Sequence, residues 1–204
     1  MKNVPYSSAT RSLMYVEVCT RPDIAYAASL LGRYSSNPDH EHWVGAKKVL
    51  RYLKKTKGYL LVYKKVDNIE VSSYADSNFA GYSADMKSTT GYIFMLAGGA
   101  ISWKSFKQSL VASSMMQAEI IACFEAGLMP YVFFTKNTNN SGGAKYIDLK
   151  YFKIREWVNN NDLYYEHIAI EDMVADPLTK GLRPIDFVKH VEHMSLLMSF
   201  DVFG

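Results

Sequence analysis

Cysteine is scarce in this chain: Cys19 and Cys123 stand alone in 204 residues, with no Cys-x-x-Cys pair. That spacing excludes a disulfide framework and a thiolate zinc site, and predicts two reduced core residues of an intracellular protein. Long apolar runs are also missing. No window approaches the ~18 consecutive apolar residues of a membrane span, so no membrane partner is expected. The opening "MKNVPYSSATRSLMYVEVC" has no apolar core of a secretory signal, and the Arg-x-Leu-Arg of some secreted effectors is absent. No internal repeat is found. The five histidines lack a metal-ligand pattern: His190 and His193 sit three apart on a predicted helix but have no third ligand, which makes them packing or surface residues.

What is present is a chain able to fold. Hydrophobic residues make up 49% and charged residues 21%, ample for a core and outside the disordered class. Net charge is only +3, yet the cations are uneven. "KKVLRYLKKTKGYLLVYKK", Lys47 to Lys65, carries eight Lys or Arg and no acid. Two readings stand side by side. Lys47, Lys48, Arg51, Lys54, Lys55 and Lys57 track nucleic-acid phosphates, with tyrosines interleaved for stacking. Or they form a solvated helix face followed by an edge strand that its lysines keep from aggregating. Trp43, Trp103 and Trp157 are expected in or near the core.

Periodicity gives the elements. Thr20 is placed to cap a helix carrying Ile24, Ala27, Ala28 and Leu31, broken by "SSNPD". A second helix bears His42, Ala46, Val49, Leu50 and Leu53 and stops at Gly58. Then "YLLVYKK", "IEVSSYAD", "TTGYIFMLAGGAISWKS" and "SLVASS" read as strands, with "AGGA" as a hairpin turn. "MMQAEIIACFEAGL" reads as a helix capped by Ser113 or Ser114 and stopped by Pro130. "AKYIDLKYFKIREWVNNND" is a helix, "LYYEHIAI" a strand, "EDMVADPLTKGL" a turn or short helix start, and "PIDFVKHVEHMSLLM" a last helix with Pro184 in its first turn. This order predicts an α/β or α+β domain with an antiparallel meander and helices packed on the sheet, behind a basic helical segment at 1–66.

Three acids stand out by context. Asp76 lies in "SSYADSNFAGY" at a strand end, Glu119 in an early helical turn, and Asp176 in "MVADPLTK". Carboxylates at strand ends and an adjoining helix can meet at one sheet edge, and two hard divalent ions ~4 Å apart can hold the attacking water and leaving oxygen of a phosphodiester. Each acid also has a plainer explanation: a turn former at Asp76, a helix-dipole partner at Glu119, a cap before Pro177 at Asp176.

The segments "CTRPDIAYAASLLGRYSSNPDHEHWVGAKKVLRYLKKTKGYLLVY", "SYADSNFAG", "KSTTGYIFMLAGGAISWKSFKQSLVASS", "AEIIACFEA" and "MVADPLTKGL" resemble the tail of the Pol polyprotein of copia-type LTR retrotransposons of plants. The resemblance covers nearly the whole chain. It implies that 1–66 is the end of the reverse transcriptase with its connection. It further implies that 67–204 is an RNase H-like domain, a mixed sheet with packed helices, cutting the RNA of an RNA–DNA hybrid with Mg2+ or Mn2+. The rest of the polyprotein would be a partner. Asp76, Glu119 and Asp176 match the first, second and fourth metal ligands. The third belongs to a helix and strand ending in Cys-Asp-Asn that this chain lacks: "CFEA" runs straight into "GLMPYVFFTKNTNNSGG". None of the acids between Glu119 and Asp176 ends an apolar strand. Asp148 matches a position without a metal role, beside Tyr146 where the family has His. Asn78 replaces a usual acid, and Ser114-Met115 a usual Ser-Thr. The polymerase aspartates are also absent. The resemblance thus implies a ribonuclease H module with an incomplete ligand set, impaired or inactive. The alternatives are a non-catalytic nucleic-acid binder and a translated relic with no role.

Overall fold

A computed structural model describes residues 4–82, 86–134, 147–162, 164 and 166–199, with side chains left out at 82, 129–134, 147 and 148. Helices and strands are mixed, as the sequence predicts. Helix α1 (Tyr6–Thr20) leads through a 3-10 turn (Pro22–Ile24) into α2 (Ala25–Gly32) and α3 (His40–Lys55). Strands β1 (Tyr59–Leu61), β2 (Val71–Tyr82), β3 (Lys87–Leu96) and β4 (Gly99–Lys107) follow. Helices α4 (Met115–Phe134), α5 (Ile147–Asn159) and α6 (Pro184–His193) and strand β5 (Leu196–Met198) complete the order.

α3 starts where Asp39 and His42 cap each other. The Asp39 carboxylate accepts from the His42 N–H at 2.9 Å, and His42 Nδ1 accepts from the Asp39 N–H at 3.1 Å. This is a capping box with histidine in place of the usual Glu or Gln. The apolar stripe of α3 then packs Ala46, Trp43, Val49 and Leu53 against Tyr6 and Leu13 of α1 and Leu31 of α2. Thr20 ends α1 instead of capping α2, because α1 itself carries a buried stripe at Tyr6, Thr10 and Leu13.

β2, β3 and β4 form an antiparallel meander in the order β2-β3-β4, closed between β3 and β4 at Ala97 and Gly98, both with positive φ. β3 is buried on both faces. One face sets Ile93 and Met95 against Ala25, Val174, Ala175, Leu178 and Met194. The other sets Tyr92 and Phe94 against Ala126 of α4. Burying Ile93 completely is worth about 1.5–3 kcal/mol. Segment 1–66 shares this core through Ala25, through β1 paired antiparallel to β5, and through Trp103 Nε1 donating to the Glu17 carbonyl at 3.2 Å.

Several local expectations are corrected. "SLVASS" is loop, because Ala112 plugs a small core with Ala118 and Ile121 while Val111 faces solvent. "LYYEHIAI" forms no strand among its described residues, and Tyr164 and Ile170 are exposed, so no core face holds the segment extended. α4 runs through Pro130 to Phe134. "SLLM" leaves the last helix to become β5. Cys19 is exposed, not a core residue; Cys123 is half-buried, and burial pushes its thiol up to about 11. The tryptophans fall as expected: Trp157 is buried and stacks on Phe124, and Trp43 and Trp103 are half-buried.

Candidate functional site

Alternation along β2 decides where its polar side chains go. Tyr74 joins the core on the Leu178 face, and Ala75 joins the core under α4. Asp76 therefore faces the 3-10 turn Asp176–Leu178, and Ser77 faces α4. The hydrogen bonds agree. The Thr179 hydroxyl lies 2.5 Å from Asp76 Oδ2 and 2.9 Å from the Asp176 carbonyl. The Ser77 hydroxyl donates to Glu119 Oε1 at 2.8 Å.

Two residues with no chemistry of their own set this geometry. Gly91 of β3 sits opposite Asp76. A Cβ there would lie 2.7 Å from Leu178 Cβ and 2.8 Å from Thr179 Cγ2, so only glycine lets the 175–179 turn rest on the sheet beside Asp76. Gln108, 1% exposed, donates its amide to Thr90 Oγ1 at 2.9 Å and to the Ala118 carbonyl at 3.0 Å. It ties β3 to the first turn of α4, one residue from Glu119. Ser114 Oγ accepts from the Gln117 N–H at 3.3 Å and caps that helix. Reasoning from sequence missed Gly91 and Gln108. The glycine inside a β-branched, aromatic run was the available signal.

The charges converge on one lysine. Lys180 Nζ is ion-paired with Asp176 Oδ1 at 2.5 Å, the carboxylate 7% exposed and the lysine side chain 41%. Lys180 also interacts electrostatically with Asp76 and Glu119. Burial raises the Asp76 carboxyl; the Thr179 hydrogen bond opposes this, Asp176 adds to it and Lys180 opposes it. Burial likewise raises Glu119, against the Ser77 hydrogen bond and Lys180 and with Asp76. Burial pulls Lys180 down, but the three carboxylates outweigh that and raise it.

Asp76, Glu119 and Asp176 are thus within electrostatic reach of a shared cation, but not as one ligand set. Asp76 and Asp176 share a face of the sheet; Glu119 is held on the other by Ser77. Among the described residues no group of three or more His, Cys, Asp or Glu side chains is arranged to hold a metal ion. With an ammonium directly on Asp176, this arrangement does not fit the Mg2+ or Mn2+ expected from the sequence. Asp148 lies outside the described side chains, and Tyr146 outside the described residues. His190 is buried with Nδ1 unpartnered, its ring 6.1 Å from that of His193.

The basic residues form a coherent surface. Lys47, Lys48, Arg51, Lys54 and Lys55 fall within an arc of about 120° on α3 at 3.6 residues per turn. All five, and Lys57 after them, are exposed. None is ion-paired to a described carboxylate; Lys47 lies over the Trp43 ring at 5.8 Å.

Comparison with known proteins identifies the sequence. It is 40% identical over 205 residues to the retrovirus-related Pol polyprotein from transposon TNT 1-94 of Nicotiana tabacum, covering 88% of this chain and 15% of that one. It is 32% identical over 208 residues to that of transposon RE2 of Arabidopsis thaliana, covering 89% and 14%. The chain therefore spans about one-seventh of these polyproteins. Both alignments run longer than the share of this chain they occupy, so the relatives carry residues without counterpart here. A protein named secreted RxLR effector protein 161, of Plasmopara viticola, is 41% identical over 143 residues, 70% of this chain and all of that one. No family model matches, and no solved structure matches.

Proposed function

Since the chain belongs to the retrovirus-related Pol polyproteins of copia-type transposons, we propose that it is the RNase H-like end of such a polyprotein, disarmed as a nuclease and keeping a nucleic-acid-binding face. Residues 1–66 are read as the reverse-transcriptase connection and 67–204 as the degenerate RNase H-like domain. The observation that carries the proposal is the state of the acids. Asp76 and Asp176 face Lys180, Glu119 is tied to Ser77 on the other side of the sheet, and no described acid fills the remaining corner. Hydrolysis of a phosphodiester by two metal ions depends on ligands that fix both ions. Four carboxylates serve that purpose in the family, and three serve it poorly when one of them is already neutralised.

The same reading accounts for the sheet. β2, twelve residues long, lies at an edge of the meander with no partner strand on its outer side among the described residues. That is where the missing acid-bearing strand would pair.

The test is a fluorescent RNA–DNA hybrid incubated with the purified chain and Mg2+ or Mn2+. No cleavage above background is expected. Hybrid cleavage that Asp76→Asn abolishes would overturn the proposal.

Binding without cleavage is favoured by the one-sided α3 surface. Anisotropy with labelled hybrid should show affinity falling steeply with salt and little sequence preference. Replacing Lys47, Arg51 and Lys54 together by Ala should flatten the salt slope by about 3. Binding that ignores salt would end this reading.

A further inference from the structure

We propose that the outer edge of β2 pairs with the β2 edge of a second copy of this chain, antiparallel across a two-fold axis, joining two three-stranded meanders into one continuous sheet. This goes beyond the functional reading and does not depend on it.

The two edges of the meander differ. β4 carries Lys104 and Lys107, and its Trp103 donates to the Glu17 carbonyl of α1 at 3.2 Å. A charge on the strand and a neighbour beside it are usual ways of keeping an edge from pairing. β2 has no Lys, Arg or Pro, and its one charged residue is Asp76. The Asp76 carboxylate is engaged by Thr179 on a face of the sheet, so it does not guard the edge. No described strand lies on the outer side of β2, and Val71, Ser72 and Ser73 are exposed. The register of β2 on β3 is unbroken from Val71 to Asn78 and shifts only beyond it. That span presents alternate N–H and C=O groups outward in a regular row, and such groups need partners.

The occupant is a second copy because β2 is complementary to itself. Antiparallel pairing about a two-fold axis sets the start of one strand beside the end of the other. Before and at the start, Val66, Ile69 and Val71 are apolar and exposed; beyond the end, Met86 is exposed. The symmetry brings these two apolar ends together twice. A register centred on Tyr74 or Ala75 uses the regular span and keeps the two Asp76 carboxylates from standing directly opposite, where like charges would oppose pairing. One short ladder with two apolar ends is smaller than the interface of a permanent dimer, so the pairing depends on concentration.

The experiment uses the full chain in about 0.5 M salt, which screens phosphate contacts and keeps stray nucleic acid from bridging copies through α3. Sedimentation velocity follows the mass from low micromolar to several hundred micromolar protein. Hydrogen exchange read by mass spectrometry compares the dilute and concentrated ends. The mass should rise from monomer to dimer and stop there. Amide exchange over 71–78 should slow several-fold in the concentrated sample, with β3 unchanged. The double variant Ser72→Lys/Ser73→Lys places a cation on each face of the edge. It should melt like the unaltered chain when dilute and stay monomeric when concentrated. An unaltered chain that is monomeric throughout overturns the proposal, whether its β2 amides exchange fast or are protected by another part of the same chain. A dimer whose β2 exchange ignores concentration pairs through another face and overturns it too. So does growth past the dimer, which means surfaces joined head to tail. If the double variant does not fold, the mass and exchange of the unaltered chain still decide.

Discussion

The molecule contains two ion clusters, and they differ in how their carboxylates are satisfied. In the helical segment, Arg21 grips Asp23 with two parallel hydrogen bonds, Nε to Oδ1 at 2.9 Å and Nη2 to Oδ2 at 2.6 Å. Tyr52 donates to the same carboxylate at 2.6 Å, and the remaining guanidinium donors reach Thr56 Oγ1 and its carbonyl. The two charged side chains are 7% and 0% exposed. All three guanidinium nitrogens donate and both carboxylate oxygens accept, so the cluster serves to join α3 to the turn after α1. In the sheet, three carboxylates share one lysine that is still 41% exposed. The first cluster is a closed structural joint. The second is open, over-supplied with negative charge and positioned by a glycine seat. Closure marks a structural joint, whereas the sheet cluster keeps an excess of charge of one sign.

The largest effect should come from breaking the closed cluster. Asp23→Asn leaves a buried guanidinium without its counter-charge, a loss of about 3–5 kcal/mol. Urea denaturation should show the midpoint falling with an unchanged slope. A loss under 1 kcal/mol would mean that Arg21 finds water, and the contrast between the clusters would fail.

Next is the seat of the open cluster. Gly91→Ala places a methyl where Leu178 and Thr179 already sit. Overpacking of this kind costs about 1–3 kcal/mol. It should also lift the 175–179 turn and lengthen the Thr179–Asp76 contact. A crystal structure of the variant would show the separation, and an unmoved turn with full stability would remove Gly91 from the argument.

Much of the fold was legible in the sequence, and the exceptions have physical causes. The α3 stripe and the Ala97–Gly98 hairpin follow from period and turn chemistry, which are local. β5 is non-local: "SLLM" continues a helical pattern and becomes strand only because β1, far away in the chain, offers an edge. Pro130 does not stop α4, a segment that is apolar nearly throughout, although proline removes a helix hydrogen bond. At the site, the acids could be named from their motifs. Their charge balance could not, because Lys180 reads as an ordinary lysine until the fold sets it against Asp176. Nor does any motif reveal that Ser77, the neighbour of Asp76, carries Glu119 to the opposite face.

Glu17 is intermediate between the clusters: a carboxylate with burial and, among the described residues, no cation acting on it. Burial raises it to about 7, with Trp103 pulling the other way. The ordinary glutamate value in an unfolded chain is about 4.3, so between the two the folded state holds more protons. Stability should therefore fall as pH rises from about 4.5 to 7 and level off above, a change on the order of 1–2 kcal/mol. Glu17→Gln should remove this slope and stabilise the chain at pH 8. Denaturation midpoints across that range check it, and a slope that survives the substitution assigns it to other groups.

The smallest effect bounds the comparison from the solvent side. Lys153 and Glu156 on α5 pair at 2.9 Å, with side chains 41% and 56% exposed. Lys180 is exposed to the same degree as Lys153. If exposure of the lysine alone governed the value of an ion pair, the two would be equal. Lys153→Ala should change stability by less than about 0.5 kcal/mol, because both partners are hydrated and a surface pair offsets little more than its own ordering cost. Lys180→Gln should cost more, because the carboxylate it leaves behind is 7% exposed and cannot recover its solvation. The two substitutions, melted side by side at low and high salt, separate the partner's burial from the lysine's own. Equal losses would mean that the acids reach water without Lys180, and that the open cluster is only a surface ion pair.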